Sequence, residues 1–209
     1  MNTMTVVFMV AEKPSLAETI SKVLSKNTRV SRKGFNGACS VHEWSGEFCR
    51  EHVRFRMTSV CGHVMTLDFQ SRYNNWDTVD PMELFVANLE KKEANPKLKM
   101  VDFLRYEAKN ANVLVLWLDC DKEGENICFE VIDSVISVMS KPTTILRAHF
   151  SAVTDSELHT AMKSLREPNK NEARSVDARQ ELDLRIGCAF TRFQTKYFQV
   201  SYLYYFIIQ

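Results

Sequence analysis

The feature that most constrains this chain is an uninterrupted apolar run that passes directly into a cluster of acids. Residues 113–118 read VLVLWL and residues 119–125 read DCDKEGE. An apolar run of this kind predicts a central parallel strand buried on both faces. Open α/β sheets bind ligands beyond the carboxyl ends of their strands. We therefore expect an α/β protein with a polar site directly after this strand.

The acids after the strand have the spacing of a divalent-cation site. Side chains at positions i, i+2 and i+4 of an extended segment share one side, so Asp119, Asp121 and Glu123 are expected to converge. Without a cation, converging acids would repel and raise one another's pKa values. Mg²⁺ accepts carboxylates together with waters and phosphate oxygens in an octahedron. We predict a Mg²⁺ site here, and the alternative is a solvated acidic loop.

Strands alternate with helical patterns along the chain, which predicts a parallel sheet flanked by helices. An apolar run over residues 5–10 precedes helical spacing from Leu16 to Leu24. The spacing of Ser15 and Glu18 predicts a capping box at the start of that helix, near Leu16. Further elements are predicted as antiparallel strands within 29–68, an irregular insertion over 70–100, a helix over 123–139, a strand over 143–150, and a helix opened by a Thr154 and Glu157 capping box.

A long helix is predicted from Ser175 to about Tyr197. Its aromatic residues Phe193 and Tyr197 extend an apolar stripe and are therefore assigned to packing. The other members of this stripe are Leu182, Ile186, Ala189 and Phe190. Its basic residues have two possible roles, a groove for single-stranded nucleic acid or a solvated helix face. These residues are Arg174, Arg179, Arg185, Arg192 and Lys196.

Length and composition exclude several classes of protein. The chain has 209 residues, enough for one well-buried domain and part of another. Its 6 cysteines form no CxxC pair, so the sequence suggests neither a zinc ribbon nor a redox motif, and a reduced intracellular setting is favoured. There is no basic leader and no apolar stretch long enough to span a bilayer, so we expect a soluble chain. The net charge of +1 does not by itself indicate a nucleic-acid binder.

A further acid, Glu12, follows the first predicted strand. If that strand lies beside the strand of residues 113–118, parallel pairing brings Glu12 to Asp119 and Asp121. The next residue, Lys13, and the helix start at Pro14 both favour phosphate, because ammonium groups and helix N-termini attract anions. The alternative is that Glu12 is a surface residue in a strand-to-helix turn.

Four ordered segments resemble the type IA DNA topoisomerases, whose Toprim domain has a Rossmann-like sheet. They are Val10–Ser15, Ser59–Val64, Leu118–Glu125 and Asp177–Gly187, the last followed by Thr191 and Arg192. Residues 35–43 and 91–96 are most similar to the eukaryotic topoisomerase III beta branch. The resemblance covers residues 5–199 and implies an N-terminal part of such an enzyme. It divides the chain into a Toprim domain (1–153), the start of the central all-α domain (154–199) and an atypical tail (200–209).

The resemblance implies a role for each matching residue. Glu12 matches the general acid or base for the leaving oxygen, Lys13 matches the lysine that contacts the scissile phosphate, and Arg179 matches the arginine at the cleavage site. The implied magnesium ligands are Asp119, Asp121 and Glu123, with Glu12 beside them. Residues implied to contact nucleic acid are Lys13, His63, Arg179, Asp183, Arg185 and Arg192. For His63 the alternative is a satisfied core histidine, and for Arg179 with Asp183 it is a surface ion pair.

The nucleophilic tyrosine of the family has no counterpart here. Tyr202, Tyr204 and Tyr205 lack the flanking arginine, so none is proposed as the nucleophile. The aromatic, uncharged tail favours a truncated or alternatively spliced product, or an error in the gene model. The expected function is the Mg²⁺ and acid–base part of an enzyme that passes single strands of DNA, or also RNA, through a transient phosphotyrosine break. By itself the fragment is expected to be inactive.

Two other functions fit the sequence. One is a non-catalytic product that binds single-stranded nucleic acid, and the other is a stand-alone Toprim nuclease in which Asp119 and Asp121 act on water. In each case the partner is nucleic acid, and no membrane is involved. The resemblance implies a nuclear protein. Whether it is also present in the cytoplasm is not specified by the sequence. The accessory protein of the complete enzyme is not specified by the sequence.

Overall fold

Parallel strands form the centre of the fold in this computed structural model, which describes the backbone of residues 4–207 and the side chains of residues 4–199. The strands are β1 (Val6–Ala11), β2 (Val30–Lys33), β3 (Ser40–Phe48), β4 (Glu51–Ser59), β5 (Met65–Phe69), β6 (Leu89–Glu93), β7 (Val113–Trp117) and β8 (Thr144–Arg147). The α-helices are α1 (Pro14–Leu24), α2 (Met100–Ala108), α3 (Lys122–Val135), α4 (Asp155–Lys163) and α5 (Lys170–Ile207). Short 3-10 helices cover Ser71–Tyr73, Pro81–Phe85 and Pro96–Leu98.

The main sheet has the strand order β2-β3-β4-β1-β7-β8. Strands β4, β1, β7 and β8 run parallel to one another, and β3 and β2 continue the sheet with antiparallel pairings. The predicted α/β class, with a mostly parallel sheet flanked by helices, is confirmed. The expected pairing of the first strand with the strand of residues 113–118 is also observed, because β1 and β7 are neighbours.

Both faces of the two central strands are buried, which explains their continuous apolar sequences. Side chains alternate between the faces. Phe8 and Leu114 belong to a core with α2 and α3, whereas Met9 and Val115 belong to a core with α1 and α4. Helices on both faces therefore hold the strand ends in fixed positions.

The described residues divide into two compact units. The first contains the chain up to Met65 together with Glu93–Val176, and the second contains Thr66–Lys92 together with the residues from Asp177 onward. The main sheet lies in the first unit. The second has its own small apolar core, formed by Phe69, Val79, Leu84, Ala87 and Ala189.

The predicted capping box of α1 is wrong. The helix begins at Pro14, with Lys13 as an extended N-cap whose side chain makes no capping hydrogen bond. Proline suits the first helical position because its ring fixes φ and its missing N–H would have no partner there. Glu18 forms an ion pair with Arg29 instead. The second predicted box is partly confirmed, because the Thr154 side chain caps α4 by accepting a hydrogen bond from the Glu157 backbone N–H.

The assignment of the α5 aromatic residues to packing is also wrong. Phe193 is 59% exposed and Tyr197 is 60% exposed. Of the predicted apolar side of this helix, Ala189 is the member that is buried. The tail predicted over residues 200–209 lies outside the residues whose side chains are described. Within the described part of the chain, no helix is both long enough and apolar enough to cross a bilayer.

Candidate metal and acid-base site

Glu12 and Asp119 meet where β1 and β7 end. The parallel register pairs Ala11 with Trp117, so the residues that follow both strands leave the sheet at the same edge. The Asp119 backbone N–H donates a hydrogen bond to Glu12 Oε2 at 2.9 Å. Both residues are partly exposed. The Glu12 carboxylate thereby contacts the backbone of Asp119 at the edge where parallel pairing was expected to bring the two residues.

Asp121 is the N-cap of α3. Its backbone is extended, and its Oδ1 accepts a hydrogen bond from the Gly124 backbone N–H at 2.7 Å. The cap holds the carboxylate at the N-terminus of the helix, where the helix dipole also favours a negative charge. One side chain therefore both starts α3 and presents an acid at the end of β7.

Glu123 does not continue the extended segment as the spacing argument required, because it lies in the first turn of α3. Its Oε2 lies 3.3 Å from His63 Nε2, and His63 Nδ1 lies 3.0 Å from Glu130 Oε1. The hydrogen bond to Glu130 is the main cause that raises the pKa of His63 above its ordinary value. His63 is thus a bridge between two glutamates, a role that the sequence did not indicate.

Glu130 is nearly buried and also fixes the segment after His63. Its Oε2 accepts hydrogen bonds from the backbone N–H groups of Val64, at 2.8 Å, and Met65, at 3.2 Å. Glu130 could not be identified from the sequence, because it lies in the middle of a helix among apolar residues. Its only sequence signal is an acid on the buried stripe of α3.

The donor chemistry of this edge fits a hard divalent cation. The candidate ligands are carboxylates, which Mg²⁺ prefers. However, no three His, Cys, Asp or Glu side chains among the described residues are already grouped closely enough to hold a metal ion. Asp119, Asp121, Glu123 and Glu12 would have to draw together around the cation.

Arg147 lies beneath this edge and was also missed. It is fully buried at the end of β8 and pairs with the buried Glu125. Glu125 belongs to the predicted acid cluster, but its partner could not be assigned from the sequence. Arg147 is a single basic residue in a short strand, and only the sheet order brings it beside the end of β7.

Lys13 is exposed at the N-terminus of α1, directly after Glu12. The remaining candidates lie on α5 in the second unit. Arg179 and Asp183 are exposed there. Arg185 donates to the carbonyl oxygens of Leu84 and Ala87, both at 2.9 Å, and pairs with Glu181.

Arg192 is only 5% exposed. It donates a hydrogen bond to the Tyr73 carbonyl at 2.6 Å, and its guanidinium lies 5.2 Å from the centre of the Trp76 ring. Arg185 and Arg192 therefore have structural partners inside the second unit.

Comparisons with known proteins show what this chain is similar to. The model of the Toprim domain matches residues 7–153. DNA topoisomerase 3-beta-1 of Homo sapiens is 65% identical over 204 residues, which cover 95% of this chain and 24% of the human protein. DNA topoisomerase 3-beta of Drosophila melanogaster is 59% identical over 94% of this chain and 23% of its own length. DNA topoisomerase 3-alpha of Homo sapiens is 40% identical over 90% of this chain and 19% of its own length. The chain thus spans about a quarter of the curated 3-beta relatives it matches.

Proposed function

Because the chain belongs to the Toprim domain family, we propose that it is the cation-binding and acid–base part of a type IA DNA topoisomerase III. The complete enzyme would cut one strand of DNA, or also RNA, pass another strand through the break and rejoin the ends. The observation that carries this proposal is the contact between Glu12 Oε2 and the Asp119 backbone N–H at the common edge of β1 and β7.

The proposed reaction is the transfer of a phosphodiester from one oxygen to another. A tyrosine hydroxyl supplied by another part of the enzyme loses its proton to water as its oxygen bonds to phosphorus, and the bond from phosphorus to the leaving oxygen breaks. Glu12 gives a proton to the leaving oxygen and takes it back when the strand is rejoined. Lys13 contacts the scissile phosphate from the N-terminus of α1. In this proposal Arg179 contacts the phosphate at the cleavage site.

Asp119, Asp121 and Glu123 would hold Mg²⁺, which supplies charge neutralisation next to the phosphate when it is bound. Phosphoryl transfer depends mainly on positioning and on electrostatic stabilisation. The sheet, covered by helices on both faces, fixes the strand ends that carry these acids, and their side chains would close around the cation. No tyrosine among the described residues is proposed as the nucleophile, so the chain alone is not expected to relax DNA.

The test exchanges this chain for the matching quarter of human DNA topoisomerase 3-beta-1. We expect the chimera to relax negatively supercoiled plasmid in the presence of Mg²⁺. Glu12→Gln should lower the rate by about 10²-fold or more, because a positioned acid or base contributes about 10² to 10⁴. Glu47→Gln, which changes an exposed glutamate on β3, is the matched control and should retain the rate of the parent chimera.

Two results would contradict the proposal. One is a Glu12→Gln chimera as active as its parent. The other is relaxation by the 209-residue chain alone. Mg²⁺-dependent cutting by the chain, without a covalent protein–DNA adduct, would instead identify a nuclease that acts with water.

A further inference from the structure

Arg147 is completely buried. Its guanidinium donates hydrogen bonds to the Glu125 carboxylate and to backbone carbonyl oxygens around the candidate site. Nε donates to Glu125 Oε1 at 2.9 Å. Nη1 donates to the carbonyl oxygens of Leu118, at 2.8 Å, and Ala148, at 2.9 Å, and Nη2 donates to the Asp119 carbonyl at 2.6 Å. A guanidinium has five N–H donors in a rigid plane, so no other side chain could reproduce this set of bonds.

One peptide group is held on both of its edges. The carbonyl oxygen of Leu118 accepts from Arg147, and the N–H of the same peptide, which belongs to Asp119, donates to Glu12 at 2.9 Å. In a trans peptide the C=O and N–H bonds point in opposite directions. Arg147 and Glu12 therefore hold the Leu118–Asp119 peptide from opposite sides.

Glu125 fixes the arginine in turn. One carboxylate oxygen pairs with Arg147, and the other accepts a hydrogen bond from the Asn169 backbone N–H at 2.8 Å, just before α5 begins. Glu125 is 3% exposed. A buried ion pair is retained only with good geometry and satisfied hydrogen bonds, and this pair has both.

We propose that Arg147 and Glu125 are positioning residues, which set the Leu118–Asp119 peptide so that the acids of β1 and β7 meet. The inference rests on the proposed function, because it concerns the same acids. Arg147 does not contact the reacting groups; it acts through the backbone that carries Asp119. A purely structural ion pair would stabilise the whole unit equally, whereas a positioning pair has a local effect at Asp119.

The experiment measures that local effect in the full 209-residue chain. Hydrogen exchange by NMR compares the Asp119 amide, bonded to Glu12, with the Val60 amide, which donates to the Ala11 carbonyl at 2.9 Å. Arg147→Lys should raise the exchange rate of Asp119 relative to Val60 by about tenfold or more, because local opening costs less than global unfolding. Glu125→Gln, which keeps the side-chain volume, should give a smaller increase of the same kind.

A second readout is the binding of Mn²⁺, a spectroscopic probe for the Mg²⁺ site, measured by electron paramagnetic resonance. Arg147→Lys should weaken this binding by about tenfold, comparable to the loss on changing a group that orients metal ligands. Arg32→Lys is the matched control, because Arg32 pairs with the buried Glu107 away from this edge. The control should change neither readout.

The outcomes separate the inference from the proposed function. Equal acceleration at Asp119 and Val60 in Arg147→Lys and in Glu125→Gln would overturn the positioning role. If the wild-type chain bound no Mn²⁺, the cation site of the proposed function would fail, while the exchange ratio would still decide the role of Arg147. If Arg147→Lys did not fold, the ratio measured in Glu125→Gln would decide it.

Discussion

Gly124 shows how closely the residues around the candidate acids are packed. A Cβ atom added at this position would lie 1.9 Å from the Asp119 carbonyl oxygen. That oxygen is also bound by Arg147, so it has no room to move without disturbing the buried pair. The glycine is therefore required by the close approach of α3 to the end of β7.

Replacing this glycine should destabilise the chain and weaken cation binding. Gly124→Ala is expected to lower the free energy of unfolding by about 1 to 3 kcal/mol or more, the usual cost of forcing extra atoms into a packed site. Urea unfolding measures the loss, and Mn²⁺ titration measures the effect on the site. Gly187→Ala is the control, because a Cβ there meets open space on α5. It should stabilise the chain by about 0.5 to 1 kcal/mol. A neutral Gly124→Ala would mean that the carbonyl of Asp119 is not fixed.

Single residues of the site differ in how far the sequence reveals them. Glu12 and Asp119 could be predicted to meet, because both follow apolar strands and parallel strands end at one edge. Arg147, Glu125 and Glu130 could not be assigned their contacts. Their partners depend on strand order and on the exact rotation of α3, and neither is encoded by local spacing.

At the scale of elements, α3 begins at a residue with two separable functions. Asp121 caps the helix through a hydrogen bond and also presents a negative charge. Asparagine caps helices as well as aspartate does but carries no charge. The two roles can therefore be distinguished by comparing two substitutions at one position.

Asp121→Asn should weaken Mn²⁺ binding and lower the free energy of unfolding by at most about 0.3 to 1 kcal/mol, because the cap is kept and only the charge beside the helix dipole is lost. Asp121→Ala should weaken Mn²⁺ binding and destabilise the chain by about 1 kcal/mol more than Asp121→Asn, the typical contribution of an N-cap. Urea unfolding and Mn²⁺ titration of the same samples check both expectations. Equal Mn²⁺ affinity in wild type and Asp121→Asn would exclude Asp121 from the cation site.

Elements with strong periodicity were predicted well, and those set by one residue or by distant contacts were not. The buried strands β1 and β7 and the helix α3 follow from apolar patterns alone. The start of α1 was misplaced because Pro14 outweighed the spacing of Ser15 and Glu18. Helix α2 was not predicted, since it follows a polar segment and has Lys99 with a positive φ as its N-cap.

At the scale of the whole molecule, the described chain exposes an apolar strip along α5. Its members are Leu182, Ile186, Phe190, Phe193 and Tyr197, each at least 46% exposed. Periodicity predicted these residues to share a helix face but could not show whether anything covers them. A contiguous apolar surface of this kind promotes association.

The 209-residue chain should therefore self-associate in solution, with a concentration dependence measurable by analytical ultracentrifugation. The double variant Ile186→Gln with Phe190→Gln should weaken association by about tenfold or more, because each buried apolar side chain contributes about 1.5 to 3 kcal/mol. Val30→Gln changes an apolar side chain on β2, away from α5, that is 73% exposed, and it should have no effect. A chain that stays monomeric at high concentration would refute the expectation.

The bond between Glu12 and the Asp119 amide makes the two oxygens of one carboxylate inequivalent. Oε2 is occupied by the backbone hydrogen, so Oε1 is the oxygen left to exchange a proton with a substrate. In Glu12→Gln the side-chain carbonyl must replace Oε2, which turns the NH₂ group outward to where Oε1 stood. The substitution would thus install a permanent donor at the position of the ionisable oxygen, while the contact between the two strands survives.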